Sequence, residues 1–193
     1  MAIRVRQAAP EDLSAITALL LQDAAERAAS DGWLWPLAND ATQKIAQAFS
    51  SEGQGGGSIR WLVAESAGEV VGVARCGLIP CPPIYHLAGQ FVLVLFDDTV
   101  VSGTAPDGTL ALLIEAGERE GQAMGAVSFL AACAKFQRDK LNALNAAGYS
   151  VVTDYLVKHR LTSLTSQAAV RPATAADVPA IVAMGGKSLA ALS

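Results

Sequence analysis

One stretch, FVLVLFDDTVVSGTAPDGTLALLIEAGEREGQAMG from Phe91 to Gly125, constrains the rest of the chain most. Phe91 to Phe96 is an unbroken apolar run, followed by Asp97 and Asp98 and then by Val100 and Val101. A run this short, rich in β-branched and aromatic residues, predicts a buried strand. The cluster SGTAPDGT predicts a tight loop after it. From Leu110 onward, Leu113, Ile114, Gly117, Gly121 and Met124 recur at helical spacing. The unit reads strand, loop, amphipathic helix. The N–H groups that open such a helix favour an anion, so a ligand site is expected there.

The chain has 193 residues, room for one domain with a sizeable core, and two full domains would be cramped. With 52% hydrophobic and 17% charged residues it is not a disordered chain. A formal net charge of -4 argues against nucleic acid and anionic membranes as main partners. No apolar run approaches the roughly 18 residues of a membrane span. The opening MAIRVRQAAPEDL lacks the apolar core of a signal peptide, and the expected location is cytoplasmic. The three cysteines, Cys76, Cys81 and Cys133, are an odd number and read as free thiols. With only two histidines no zinc site is expected.

Taken in order, Ile3 to Arg6 reads as a first strand. Pro10, Glu11 and Asp12 suit a helix start, and Leu13, Ile16, Leu19, Leu20 and Ala24 carry an apolar stripe to about Ala29. SDGWLWPL breaks it. Trp33 and Trp35 in this loop read either as lids on the core or as walls of an acceptor pocket. Asp40 can cap a second helix to about Phe49. The glycines of SSEGQGGGS lack the Lys and the preceding strand of a phosphate loop and read as a surface loop. Ile59 to Glu65 and Glu69 to Leu78 read as a hairpin. Pro80, Pro82 and Pro83 are expected outside any ladder, and Tyr85 and His86 lead into the central strand. Ala126 to Cys133 reads as a strand parallel to the central one, Phe136 to Ala147 as a helix stopped by Gly148, and Tyr149 to Val157 as a closing strand. The expected fold class is α/β, a mixed, mostly antiparallel sheet with flanking helices.

The tail departs from this plan. After a polar linker, VRPATAADVPAIVA repeats the opening VRQAAPEDLSAITA, with Val5/Val170, Arg6/Arg171, Asp12/Asp177 and Ile16/Ile181 among the identities. The expected organisation is therefore a domain over 1–158 and a segment over 159–193 that repeats the first strand and helix. Val178, Ile181 and Val182 form an apolar stripe that needs cover, and with open sheet edges it suggests a homodimer.

The opening VRQAAPEDLSAI, the hairpin WLVAESAGEVVGVA, the strand FDDTVV, and LALLIEAGEREGQAMGA with the elements after it resemble the GCN5-related N-acetyltransferases (GNAT) in their order, over about Ile3 to Lys158. The resemblance implies an acyl-CoA N-acyltransferase-like fold whose sheet parts to hold acetyl-CoA as cosubstrate. It implies that Val100 and Val101 hold the pantetheine arm by their main chain. It also implies that Ala105, Asp107, Gly108 and Thr109, in the loop before the third helix, meet the pyrophosphate. The family's loop reads R/Q-x-x-G-x-G/A, whereas TAPDGTLA has one glycine, no arginine and an acid; Asp107 reads as a helix cap. Gln137 stands where many members have an asparagine. Leu144 stands where they have the tyrosine that protonates the thiolate, and Tyr149 or Tyr155 is a possible substitute.

Acetyl transfer needs an amine deprotonated near an activated thioester; a carboxylate can accept that proton, often through water, and attack can also proceed by positioning alone. Asp97 stands at the family's acid position, with Asp98 beside it and Glu65 as a further candidate; Tyr85 joins Trp33 and Trp35 as a candidate for the substrate pocket. Two functions follow: an N-acetyltransferase acting on a primary amine of a small molecule or protein, or a GNAT-fold binding or assembly module that has lost the chemistry. An unrelated α/β binding domain is the third.

Overall fold

The computed structural model describes residues 2–32, 34–53, 58–80, 91–154 and 173–190. Its sheet grows from the hairpin of β2 (Ile59–Ser66) and β3 (Glu69–Pro80). Ser66 pairs with Glu69, so Ala67 and Gly68 make the turn, both at positive φ (54° and 85°). That is the two-residue primed turn whose twist suits an antiparallel ribbon. β1 (Ile3–Gln7) adds antiparallel to β2, and β4 (Phe91–Leu95) and β5 (Val100–Val101) both add antiparallel to β3. β6 (Ser128–Ala131) pairs parallel with β4. The main path runs β1-β2-β3-β4-β6. This is the mixed, mostly antiparallel α/β sheet expected.

Helices cover both faces. α1 (Leu13–Ser30) and α2 (Ala41–Gly53) pack with Trp61, Val63, Val73 and Val100 through Ile16, Leu19 and Phe49. α3 (Thr109–Ala123) and α4 (Arg138–Ala146) pack with Leu62, Ala64, Ala74, Cys76, Leu93 and Leu95 through Leu113, Ile114 and Leu144. Neighbouring residues of a strand point to opposite faces, so β2 and β3 are buried on both sides. This explains their nearly continuous apolar sequences. The Cys76 thiol lies in this core, and burial pushes it up to about 12.

Several expectations change. The central strand is interrupted between Leu95 and Val100. Pro80, expected outside the ladder, is the last residue of β3, opposite Phe91; at a strand end its missing N–H is tolerated. Residues 149–154 form no strand: Val151 and Val152 are 66% and 77% exposed, and their β-propensity finds no ladder partner among the described residues. Trp33, Cys81, Pro82, Pro83, Tyr85, His86, the 54–57 glycine run and residues 155–157 lie outside the described residues.

The chain divides into two compact units, Met1–Val152 and Thr153–Ser193. In the second, a 3-10 turn, Ala175–Asp177, leads into α5 (Val178–Ala190). Asp177 Oδ2 accepts the Thr174 N–H at 2.7 Å; in the first unit Asp12 Oδ2 accepts the Ala9 N–H at the same distance before Leu13. The repeat in sequence is thus a repeat in local structure. Val178, Ile181 and Val182 of α5 are exposed.

Two predictions follow from this packing. A Cβ on Gly121 would sit 2.8 Å from Leu93 Cδ2 and 3.0 Å from its Cβ. Overpacking of about 1–3 kcal/mol outweighs the helix propensity gained, about 1 kcal/mol. Gly121→Ala is expected to lower stability by about 1 kcal/mol in urea unfolding; a gain would contradict the close approach of α3 to β4. Arg6 donates to both Asp12 oxygens, at 2.6 and 2.9 Å, and this pairing holds the carboxyl below its ordinary 3.8. An acid depressed in the folded state stabilises it above the unfolded pKa and loses that contribution as pH falls through the folded one. Stability is expected to drop below about pH 4, and less steeply in Asp12→Asn, when urea unfolding is repeated through the acid range.

Candidate active site

The break in the central strand builds the site. Leu95 lies opposite Cys76 and Val100 opposite Val73, so five steps on one strand meet three on its partner. The two surplus residues leave the ladder as a bulge. Phe96 N–H still donates to Arg75 O at 2.9 Å, and Thr99 closes the turn by donating its N–H and its hydroxyl to Phe96 O at 3.2 and 3.0 Å. On the other side, β6 follows β4 only to Leu95, whose carbonyl accepts the Ala132 N–H at 3.1 Å. Beyond that rung β5 has no strand beside its outer edge among the described residues. A cleft of about 330 Å³ occupies the gap. Leu19 and Asp23 of α1, Val100, Val101, Leu110, Gln137 and Lys140 line it.

The start of α3 stands at one end. Ala105 N–H donates to Ser102 O at 3.0 Å, and the buried Thr109 hydroxyl donates to Pro106 O at 2.6 Å. Gly108, at φ 84°, is the N-cap. Asp107 therefore does not cap the helix: the cap position falls on a residue with no side chain, and Asp107 is exposed.

Beside the cleft, charges are packed together, and Asp23, Gln137 and Lys140 of this group line it. Arg27 of α1, 5% exposed, donates to Asp23 Oδ2 and to Asp97 Oδ2, both at 2.5 Å, and to Asp97 O at 3.0 Å. It also stacks on Trp35. Gln137 donates to Asp23 Oδ1 at 2.8 Å and accepts from Arg27 at 3.3 Å, so it ties α4 to α1. Asp98 faces Arg75, 3.1 Å away, which stacks over Phe96; burial pushes the Asp98 carboxyl up. Lys140 of α4, also 5% exposed, donates to Asp97 O at 2.9 Å and to Phe96 O at 3.5 Å. Burial lowers its pKa. Asp97 and Asp98 each keep one buried carboxylate oxygen without a hydrogen-bond partner.

The structure thus brings Val100, Val101 and Gln137 to one cleft, while Asp97 and Asp98 stand in the bulge beside it, paired with Arg27 and Arg75, and neither is among the residues that line it. Glu65 stands apart on β2, bound to Arg6 at 3.1 Å. Trp35 lines a separate small hollow with Ala24, Arg27 and Leu37. Trp33 and Tyr85 lie outside the described residues. Asp23, Arg27, Arg75 and Lys140 were not picked out by the sequence reading. A signal existed: Asp23 and Arg27 continue the spacing of Ile16 and Leu19, and Lys140 stands four residues before the buried Leu144. Charges on an apolar stripe are rarely solvated ones.

No protein-family model matches the sequence, and no curated protein matches it. Solved structures do match. An aminoglycoside N-acetyltransferase, AAC(6')-Iy, in complex with CoA is 15% identical at a TM-score of 0.63, over 83% of this chain and 96% of that one. A predicted acetyltransferase with acetyl-CoA from Clostridium acetobutylicum is 13% identical at 0.62, over 82% and 96%. A structure from Bacillus halodurans titled a transcriptional regulator is 16% identical at 0.65, over 82% and 100%. The fold is that of the GNAT acetyltransferases, as the sequence resemblance implied.

Arg27→Met strands the carboxylates of Asp23 and Asp97. A cost of about 3–5 kcal/mol is expected, read by urea unfolding, with a smaller loss in Asp97→Asn because that side chain is one-third exposed (33%). A loss below about 1 kcal/mol in Arg27→Met would mean that this pairing does not hold α1 to the bulge.

Proposed function

We propose that this protein is an acetyl-CoA-dependent N-acetyltransferase acting on a primary amine of a small molecule or a protein. The observation that carries the reading is the cleft beside β5, where that strand leaves the line of β4 and β6, with the edge of Val100 and Val101 along one wall. Main-chain groups on such an edge can hold the amides of an extended arm, as strands hold one another. The opening turn of α3 leaves N–H groups without partners inside the helix, and these suit a pyrophosphate. In this reading Ala105, Gly108 and Thr109 shape that turn. The bound thioester would supply the activated acyl group.

The chain's own residues then have two tasks. One is to hold the amine against the acyl carbon, since orientation supplies much of the rate. The other is to remove the amine's proton. Asp97 is our candidate base, acting directly or through water; its Oδ1 carries no hydrogen bond. Trp33, Trp35 and Tyr85 remain our candidates for the acceptor pocket. We take the protein to be cytoplasmic and homodimeric, the latter because α5 exposes an apolar stripe. Among the described residues no helix is long and apolar enough to cross a membrane.

A module that keeps the fold without the chemistry is the second reading. It is favoured by Asp107, an acid at the mouth where phosphate would approach, and by Leu144, which is buried and carries no proton to give.

Calorimetry with acetyl-CoA separates the two. One site per chain is expected, with a Kd of about 1–100 μM; no heat and no thermal shift at saturating ligand would retire the enzyme. Asp107→Asn is expected to tighten binding about two- to five-fold, as an exposed like charge is removed. Unchanged affinity would place the phosphates away from the α3 loop.

A further inference from the structure

Transfer of an acyl group from a thioester expels sulfur as a thiolate, and a proton must reach it. The residue in the family's proton-donor position, Leu144, is 3% exposed and apolar. Tyr149 does not replace it: its hydroxyl is engaged with Glu118, which drives its pKa up together with burial, and it does not line the cleft. Asp23, Glu26 and Asp139 also line the cleft. Arg138 is a permanent cation.

We infer that Lys140, one helical turn before Leu144 on the same face of α4, is the proton donor to the departing sulfur. The inference rests on the acetyl-CoA reading above. Its geometry is independent of it: a buried side chain that lines the cleft with Leu110 of α3 and donates into the bulge carbonyls of Asp97 and Phe96. Those carbonyls hold the Nζ against the break between Leu95 and Val100. The charged and titratable groups around it are Asp97 and Asp98 of the bulge, Arg27 of α1 and Cys133 before α4. Burial favours release of the proton, and Asp97 opposes this.

The step balances. The neutral amine attacks the acyl carbon, and a C–N bond forms. The C–S bond breaks with its electron pair on sulfur, and Lys140 Nζ–H gives its proton to that sulfur. The acceptor nitrogen loses one proton to the base or to water, and Lys140 regains one from solvent. An amide and a thiol result.

The test uses the full chain with CoA itself as the probe. An ammonium beside the thiol favours the thiolate, so bound CoA is expected to titrate about one pH unit below free CoA, a tenfold difference in thiolate. The reading is the ultraviolet absorbance of the thiolate, with the protein plus desulfo-CoA subtracted. In Lys140→Met that shift is expected to vanish, read at CoA concentrations that saturate the variant. In Lys140→Arg, the control should the methionine variant not fold, the shift is expected to persist. The same titration in the native and methionine chains overturns the inference while the cofactor reading stands. An acetyl group found on Lys140 by mass spectrometry also overturns it, making that amine an acceptor. Failure of CoA to bind removes this inference and the proposed function together.

Discussion

Five residue steps against three, between Leu95 and Val100, is the constraint on which the rest of this structure depends. A strand that leaves its ladder inside a protein exposes main-chain groups that need partners. Here the turn provides several of them itself. Phe96 O takes both Thr99 donors, Phe96 N–H keeps its bond to Arg75 O, and Lys140 and Arg27 reach in to the Asp97 carbonyl. The main-chain groups just named are therefore satisfied within the break, although one carboxylate oxygen each of Asp97 and Asp98 is not. The consequence of the break is the parting of β5 from the line of β4 and β6, which opens the cleft.

That satisfaction brings charge into the interior. Arg27 and Lys140 are both nearly buried, and a buried cation is costly unless paired. Asp23 and Asp97 answer Arg27, and the Asp97 carbonyl answers Lys140. Gln137 completes the set by joining α4 to α1 across the gap. On the other side of the bulge, Arg75 faces Asp98 and Glu52 and stacks on Phe96. The acids of FDDTVV are thus held by cations from separate elements, α1 for Asp97 and β3 for Asp98. The same contacts fix α1 against the bulge, and Asp23, Gln137 and Lys140 among them line the cleft.

The repeated opening has a local physical cause. In both copies a residue in extended backbone, Ala9 or Thr174, donates its N–H to an aspartate three positions on, and a 3-10 turn then leads into an α-helix. Asp12 and Asp177 are identical because the carboxylate satisfies an N–H that the turn would otherwise leave open. In the first unit the helix buries its stripe on β2, β3 and Val100 through Ile16 and Leu19. In the second the matching Ile181 is exposed. The same local signal thus produces the same start, whatever covers the helix afterwards.

Elements whose partners are near in sequence could be read from residues alone. The β2–β3 hairpin, the stripe of α3 and the helix start at Asp12 each follow from spacing and turn chemistry acting over a few residues. The parallel crossover to β6 followed from order and length. An apolar strand, a loop and an amphipathic helix were legible as a unit, and the cleft lies beside it, with Val100, Val101 and Leu110 in its lining. The interruption at Phe96 was not legible, since FVLVLFDDTVV carries no glycine or proline to mark it; it arises from the register of β3 on one side and β6 on the other. The partners of Asp97 and Asp98 were equally hidden, because Arg27 lies 70 residues from Asp97 in the chain, and Lys140 43 residues from it. Periodicity reports which face of an element is buried. Which charges meet there is set when separate elements pack, and no local pattern encodes that meeting.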